Sequence, residues 1–254
     1  MIVMEFRVFL PLLSEIDKGW LSASEFDAYS VAVANIKVGS AFAPEVRADS
    51  YFVGKPFFGL KYRHGTKLEI KVRDKNVVNG IEKWVKHKLG KKGIEKYKPE
   101  IMEILSSAGY DVTPACLEIE HQIAVEKSRH CVELEDLTLE LCQLNILDAQ
   151  PNYPGHIVRR KWLSFAVEGS TADIGAFLKR DDDPMNLRAS LTVIHQILSS
   201  KSEAAVAHDA VPVVSGYPMF VHTLAKNVTP EEIQGELIGT WNLLIEQLAP
   251  ISTA

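Results

Sequence analysis

The chain has 254 residues, 46% of them apolar and 24% charged, and this composition excludes a wholly disordered protein. With 28 basic and 33 acidic side chains its net charge is −5, so it lacks the basic excess of a protein that binds duplex nucleic acid. Its three cysteines predict neither a disulfide framework nor a zinc site. No apolar run reaches the length of a membrane span, and Glu5 and Arg7 interrupt any signal peptide. We therefore expect a cytoplasmic protein with no membrane partner.

Strands dominate the predicted first half of the chain. β-Branched and aromatic residues predict a strand over residues 1–10. Ser22 and Glu25 have the spacing of a capping box, which predicts a helix over residues 22–36. A short turn at residues 64–66 predicts a hairpin between its flanking strands. The remaining predicted elements of this half are strands at 46–53, 57–63, 67–73 and 79–89 and a helix at 94–108.

The second half repeats strands and then changes to helices. Alternating apolar and polar residues predict strands at 115–125, 131–141 and 156–168. Helical spacing predicts helices at 172–178, 184–199 and 230–248. The small residues between 202 and 215 predict a loop. No composition break separates the halves, so we expect one domain with a helical C-terminal addition.

The predicted strands each carry one face that is rich in charge. Alternate residues of a strand share a face, so charged residues two positions apart point the same way. The faces carry mainly cations in the first half and mainly carboxylates in the second. The charged sets are Glu5 and Arg7; Lys61 and Arg63; Lys67, Glu69, Lys71 and Arg73; Glu118 and Glu120; and Glu133 and Glu135.

Two structures are compatible with this alternation. In the first, an open antiparallel sheet turns its charged face to water. In the second, the sheet closes into a barrel whose interior holds the charges, and they must then pair with one another or with a charged ligand. Alternation alone does not choose between them, although an open sheet is the commoner arrangement.

Several segments, in order along the chain, resemble motifs of the CYTH family, the triphosphate tunnel metalloenzymes. They are MEFR at 4–7, DSYF at 49–52, GLKYR at 59–63, KLEIKVR at 67–73, LEIE at 117–120, VELE at 132–135 and WLSFAVEG at 162–169. The resemblance implies an α+β fold in which residues 1–170 form a closed antiparallel β-barrel, a tunnel with flanking helices. Residues 171–254 would then be a mainly helical extension packed on the same domain.

The resemblance also implies a function. Members of the family bind and hydrolyse tripolyphosphate, thiamine triphosphate or nucleotides in the tunnel, with Mg²⁺ or Mn²⁺ held by carboxylates. Basic side chains suit phosphate oxygens and carboxylates suit hard divalent ions. The implied phosphate-binding residues are Lys61, Arg63, Lys71 and Arg73. The implied metal ligands are Glu5, Glu118, Glu120, Glu133 and Glu168, with Glu5 and Glu120 also in catalytic roles.

The first strand departs from the family pattern of Glu-x-Glu-x-Lys. Arg7 stands where the pattern has its second glutamate, and Phe9 stands where it has lysine. A positive charge at that position repels a divalent ion, so the sequence leaves open whether the protein is an enzyme. The alternatives are a catalytically inactive protein that binds a polyanion, and a protein-interaction domain with no small ligand.

A lysine-rich stretch over residues 83–98 also contains Trp84 and Tyr97. Lysines interleaved with aromatic residues are compatible with an anionic surface or single-stranded RNA as partner. A solvated connection between a strand and a helix has the same composition, and we favour that interpretation.

Overall fold

The computed structural model describes residues 2–13, 21–37, 43–52, 55–78, 81–91, 93–117, 122–147, 161–180, 186–199, 213–218, 220 and 221. Within them the strands are β1 (Ile2–Pro11), β2 (Glu45–Phe52), β3 (Phe58–Arg63), β4 (Lys67–Val78), β5 (Ile81–Gly90), β6 (Gln122–Leu134), β7 (Leu137–Leu147), β8 (Lys161–Gly169) and β9 (Val213–Val214). The helices are α1 (Ala23–Asn35), α2 (Ile94–Ser107), α3 (Thr171–Leu178) and α4 (Leu187–Ser199), and Pro114–Leu117 form a 3₁₀ turn.

The first eight strands form a closed antiparallel barrel. Their order around the sheet is β5-β4-β3-β2-β6-β7-β8-β1, and β1 pairs back with β5 through Ile2↔Val85 to Glu5↔Glu82. Closure removes the sheet edges and turns every second side chain of each strand into the lumen. The predicted α+β barrel is confirmed, and the open sheet is excluded.

The helices cover the outer face of the barrel. Helices α1, α3 and α4 pack against the outward apolar residues of β1 and β8, with Phe6, Val8 and Phe165 at 1% exposure or less. Helix α2 covers β3 and β4 in the same way. None of the described helices combines the length and apolar character needed to cross a membrane.

The start of α1 is the capping box that the sequence predicts. Ser22 Oγ accepts a hydrogen bond from the Glu25 backbone N–H, and the Glu25 carboxylate accepts one from the Ser22 N–H. The hairpin between β3 and β4 is also confirmed, with Arg63 opposite Lys67 across the turn.

Two predicted strands are wrong in their boundaries. Residues 114–117 form a 3₁₀ turn where a strand was predicted, residues 118–121 lie outside the described residues, and β6 spans Gln122–Leu134. The single strand predicted over 131–141 is in fact the end of β6, a two-residue turn at Glu135 and Asp136, and the start of β7. Glu135 has a φ of 48°, a left-handed conformation that a period-two pattern does not reveal. The lumen-facing residues have odd numbers on β6, and because of the turn they have even numbers on β7.

A segment far along the chain closes one end of the lumen. We call residues 213–218, 220 and 221 the plug segment. Its strand β9 pairs with Val8 and Phe9 of β1, beyond the residues through which β1 pairs with β5. The following side chains enter the lumen, where Phe220 stacks on Phe9 at a centroid distance of 3.9 Å. The predicted helix over 230–248 and most of the predicted loop over 202–215 lie outside the described residues.

Replacing Gly216 with alanine tests how tightly the plug segment is seated. The added Cβ would lie 2.6 Å from the Trp84 ring and 3.0 Å from a Glu82 carboxylate oxygen. We expect a loss of about 1–3 kcal/mol in the free energy of unfolding, as for other overpacked sites. Denaturant titration measures it.

The matched control is Gly175→Ala in helix α3, where nothing lies within 4 Å of the added Cβ. Alanine is the better helix former, so this variant should be equal to the parent or more stable by up to about 1 kcal/mol. Equal stability of the two variants would show that the plug segment is not packed as described.

Candidate functional site

The lumen has an apolar end and a charged end. At the apolar end, side chains of β1, β2, β6, β7, β8 and the plug segment fill the space, among them Phe9, Ile123, Leu144, Trp162 and Phe220. At the other end, the inward positions of the strands carry ionised groups. The barrel is therefore closed on one side of these charges by packed aromatic and aliphatic side chains.

A cavity of about 280 Å³ occupies the charged end. Basic side chains from six strands line it: Arg7, Arg47, Lys61, Arg63, Lys71, Lys86, Lys127 and Arg129. The carboxylates of Glu69, Glu140 and Glu168 also line it, and those of Glu5 and Asp49 are buried in the same wall. Glu45, which is half exposed at the start of β2, also pairs with Arg47 and Arg129. Eight formal positive charges thus face six negative ones, and this excess favours anions.

Arg7 lies at the centre of the buried carboxylates. Its Nε is 2.6 Å from Glu5 Oε1, and its Nη1 is 2.7 Å from Glu140 Oε1 and 2.9 Å from Ser164 Oγ. Its Nη2 is 3.8 Å from Glu168 Oε1. Because the guanidinium is planar and offers five donors, it can bind several acceptors at once. With the side chain only 3% exposed, these contacts are poorly screened by water.

The surrounding cations keep the central carboxylates ionised. Burial alone would raise the pKa of Glu5, but the charges of Arg7 and Lys71 lower it to about 2. Burial opposes ionisation of Glu140 in the same way, and Arg7 and Arg129 hold its pKa well below the ordinary value. Lys71 donates to Glu5, and Arg129 donates to Glu140, so each carboxylate has two cationic partners.

A second group of charges surrounds Asp49, which is completely buried. Its Oδ2 is 2.9 Å from Lys61 Nζ, 3.5 Å from Lys127 Nζ and 3.6 Å from Arg47 Nε. Three cations therefore share one carboxylate. Burial lowers the pKa of Lys61 to about 8, even though Asp49 favours its charged form.

Two guanidinium groups have hydrogen-bonding capacity left over. The buried Nε atoms of Arg47 and Arg63 have no hydrogen-bond partner among the described residues. Their ion pairs are long, at 3.6 Å to Asp49 for Arg47 and 3.4 Å to Glu69 for Arg63. Buried donors normally find a partner, so these two guanidinium groups are incompletely paired within the barrel wall.

The structure brings together three of the four predicted phosphate-binding residues. Lys61, Arg63 and Lys71 line the cavity. Arg73 shares their parity on β4, but its Nη1 lies 3.1 Å from Glu82, and it is not part of the cavity wall.

The predicted metal ligands are more dispersed. Glu5 and Glu168 lie on either side of Arg7. Glu133 is exposed beside the β6–β7 turn, where it accepts a hydrogen bond of 2.7 Å from Thr138. Glu118 and Glu120 lie outside the described residues.

The sequence did not reveal four of the eight basic side chains of the cavity wall. Arg47 lies on a predicted strand whose charged face was not recognised. Lys127 and Arg129 lie between the strands predicted at 115–125 and 131–141, where β6 in fact runs without a break. Lys86 belongs to the stretch interpreted as a solvated connection; in the structure it lies on β5 and its Nζ is 3.3 Å from Glu69. Glu140 was missed because the turn at residues 135 and 136 shifts the phase of β7.

The described carboxylates do not fit a divalent metal centre. Mg²⁺ and Mn²⁺ need several oxygen ligands that are free to coordinate. Here the carboxylates of Glu5 and Glu140 are each held by two cationic side chains, and the Arg7 guanidinium occupies the space between them. Among the residues that the structure describes, no group of three or more His, Cys, Asp or Glu side chains is placed to hold a metal ion.

Comparison with solved structures matches the chain to a Bacillus halodurans protein provisionally named an adenylate cyclase. The match has 11% sequence identity and a TM-score of 0.37, and covers 78% of this chain and 90% of that one. A similarity at this level supports no statement about function. No family model and no curated protein matches the chain.

Replacing Arg7 with methionine tests its role as the central cation. The variant leaves Glu5 and Glu140 buried with one cationic partner fewer each. We expect a loss of about 3–5 kcal/mol in the free energy of unfolding, as is usual when one partner of a buried ion pair is removed. Denaturant titration at neutral pH measures the loss.

The matched control for this experiment is Lys98→Met. Lys98 pairs at 2.7 Å with Glu95 of helix α2, but Glu95 is 77% exposed. Pairs of this kind contribute little, so the control should lie within about 0.5 kcal/mol of the parent. If Arg7→Met and Lys98→Met are equally stable, the buried network does not hold the barrel together.

The pKa of Lys61 predicts how anion binding depends on pH. A lysine is charged below its pKa, and an anion binds the charged form better. Affinity for sulfate, whose own charge is constant, should therefore fall as the pH rises from about 7 to about 9.5. Sulfate-dependent thermal shifts measured across this range test the expectation, and the Lys61→Gln variant should show a flatter profile. An affinity that rises with pH would contradict the assignment.

Proposed function

We propose that the cavity binds a small polyanion that carries several phosphate groups, in the class of tripolyphosphate, thiamine triphosphate or a nucleotide. The observation that supports this most directly is the formal excess of two cations over carboxylates, eight against six, around a cavity of about 280 Å³. Uncompensated charge away from water is unfavourable, and a bound polyanion would relieve it.

The arrangement of the cations favours phosphate over a single small anion. Arg47, Arg63 and Arg129 project from three different strands, with Lys61 and Lys71 between or beside them. Guanidinium groups bind phosphate oxygens in pairs, and those of Arg47 and Arg63 are only loosely paired, at 3.6 Å and 3.4 Å from their carboxylates. Charges distributed around the wall suit a ligand whose own charges are distributed along a chain.

We propose binding and do not extend the proposal to hydrolysis. Metal-dependent hydrolysis requires a cation that activates water or polarises the phosphate. The carboxylates that would hold such an ion at this place are bound to Arg7, Lys71 and Arg129 instead. Arg7 contributes a permanent positive charge to the cavity, so binding should not need a divalent ion.

A protein-interaction surface is a poorer explanation of the same charges. The cations are on the inside of the barrel, with side-chain exposures of 1% for Lys127, 9% for Arg47 and 28% for Arg63. A folded partner cannot reach groups at this depth, whereas a small anion can.

The direct test is thermal stabilisation by tripolyphosphate in the presence of EDTA. A ligand at a hundred times its dissociation constant stabilises the folded state by about 2.7 kcal/mol, which is readily measured. We expect a similar shift with EDTA or with Mg²⁺, and no shift for the Arg47→Gln/Arg63→Gln double variant. The matched control is Arg73→Gln, which should keep the shift because Arg73 pairs with Glu82 outside the cavity wall.

Three outcomes would contradict the proposal or part of it. Absence of stabilisation by tripolyphosphate, thiamine triphosphate and ATP would exclude the polyanion site and favour a domain without a small ligand. Loss of the shift in Arg73→Gln, but not in the double variant, would overturn the site assignment. Release of phosphate that depends on Mg²⁺ would show that metal-dependent catalysis operates after all.

A further inference from the structure

Lys127 is the most deeply buried amine of the cavity. It lines the cavity at the boundary with the apolar end, and its side chain is 1% exposed. Its Nζ lies 2.5 Å from the Tyr51 hydroxyl and 3.4 Å from the centroid of the Tyr217 ring. We call this place, formed by Lys127, Tyr51 and Tyr217, the floor of the cavity.

Burial disfavours the charged form of Lys127, whereas Asp49 and the Tyr217 ring, which lies at cation–π distance, favour it. Its nearest carboxylate, Asp49, is 3.5 Å away and is held more closely by Lys61, at 2.9 Å. Burial first, and then the charge of Lys61, lower the pKa of Lys127 well below that of an ordinary lysine. The amine is therefore neutral in a larger fraction of molecules than an exposed lysine is. A neutral amine is a nucleophile, whereas an ammonium group is not.

The other lysines of the cavity differ from Lys127 in their pairing. Lys71 donates to Glu5, Lys86 lies 3.3 Å from Glu69, and Lys61 is 2.9 Å from Asp49. Their side chains are 17–24% exposed, so water also helps to keep them charged. Lys127 alone among these four combines deep burial with a shared and more distant carboxylate.

We propose that Lys127 forms a reversible imine with a small aldehyde or ketone that carries a phosphate group. The phosphate would be held by cations nearer the solvent, with Arg63 and Arg129 at 28% and 22% exposure, and the carbonyl would reach the floor. This inference rests on the proposed function, because the same cations would bind the phosphate. It adds a covalent subsite and a chemical class of ligand.

The reaction balances without an oxidant or a metal. The neutral amine of Lys127 attacks the carbonyl carbon, and a C–N bond forms to give a carbinolamine. Both amine hydrogens leave with the carbonyl oxygen as water, and a C=N double bond remains. The Tyr51 hydroxyl, 2.5 Å from Nζ, is placed to pass a proton between nitrogen and oxygen. Burial raises the pKa of Tyr51, so this hydroxyl keeps its proton at neutral pH.

The test uses pyridoxal 5′-phosphate as the probe, at an amount below one equivalent, with sodium cyanoborohydride to trap imines. Peptide mass spectrometry of the full chain then identifies the modified lysine. We expect modification of Lys127 to exceed that of Lys61, Lys71 and the exposed Lys98. Tripolyphosphate should compete with this modification, and pyridoxal, which lacks the phosphate, should label Lys127 several-fold less.

The variant Lys127→Met should lose both the imine absorbance and the label, with circular dichroism to check that the barrel is retained. If that variant does not fold, the peptide map of the parent protein still decides the question. Label distributed over exposed lysines, with Lys127 unmodified, overturns the inference.

Pyridoxine 5′-phosphate has an alcohol in place of the aldehyde, so it can occupy the anion site but cannot form an imine. It therefore distinguishes absence of the imine from absence of the anion site. If it stabilises the protein and Lys127 stays unlabelled by the aldehyde, the anion site stands and the imine is excluded. If neither it nor tripolyphosphate stabilises the protein, and Lys127 is unlabelled, both proposals fail together.

Discussion

The pairing of buried charge is the constraint on which the rest of this structure depends. Closing the sheet places ionised side chains from eight strands inside one lumen, where little water can reach them. A fully buried carboxylate must then have a cation close by, or burial would protonate it. Arg7 meets this requirement for Glu5 and Glu140 together, and Ser164 completes its bonds. The barrel can close because its acidic and basic strands meet across the lumen.

The plug segment decides what kind of interior the barrel has. Without it, the space beside Phe9 and Trp162 would continue as an open lumen; with it, Phe220 packs against both rings. Among the described residues, the charged end thus becomes a cavity with a floor, and the partly exposed cations border its open side. The same packing dehydrates Lys127, because the Tyr217 ring lies directly over its amine. The plug segment, which contributes no ionised group to the cavity, therefore changes the environment of Lys127.

The balance of charges distinguishes this cavity from a metal centre. A metal site holds carboxylates that converge on an empty position, whereas here the position between Glu5 and Glu140 is filled by a guanidinium. Replacing a bound ion by a side chain keeps the positive charge but removes the coordinated water. This physical difference is the reason why the proposed function is limited to binding. The charge of Arg7 also adds to the excess of cations over carboxylates in the cavity wall.

Strand alternation was enough to predict the hairpin of β3 and β4, the helix cap at Ser22 and the common face of Lys61, Arg63 and Lys71, because each depends on neighbours in the chain. Alternation alone did not predict that the barrel closes, because the pairing of β1 with β5 depends on the twist and tilt of the whole sheet. The two-residue turn at 135–136 hid Glu140 by reversing the phase of β7. Arg73, two residues beyond Lys71 on β4, pairs with Glu82 outside the cavity wall. Which residues share a face is a local property of the backbone and was determined by the sequence itself. Whether those faces enclose a space, and what fills its far end, was decided only when distant strands and the plug segment met in three dimensions.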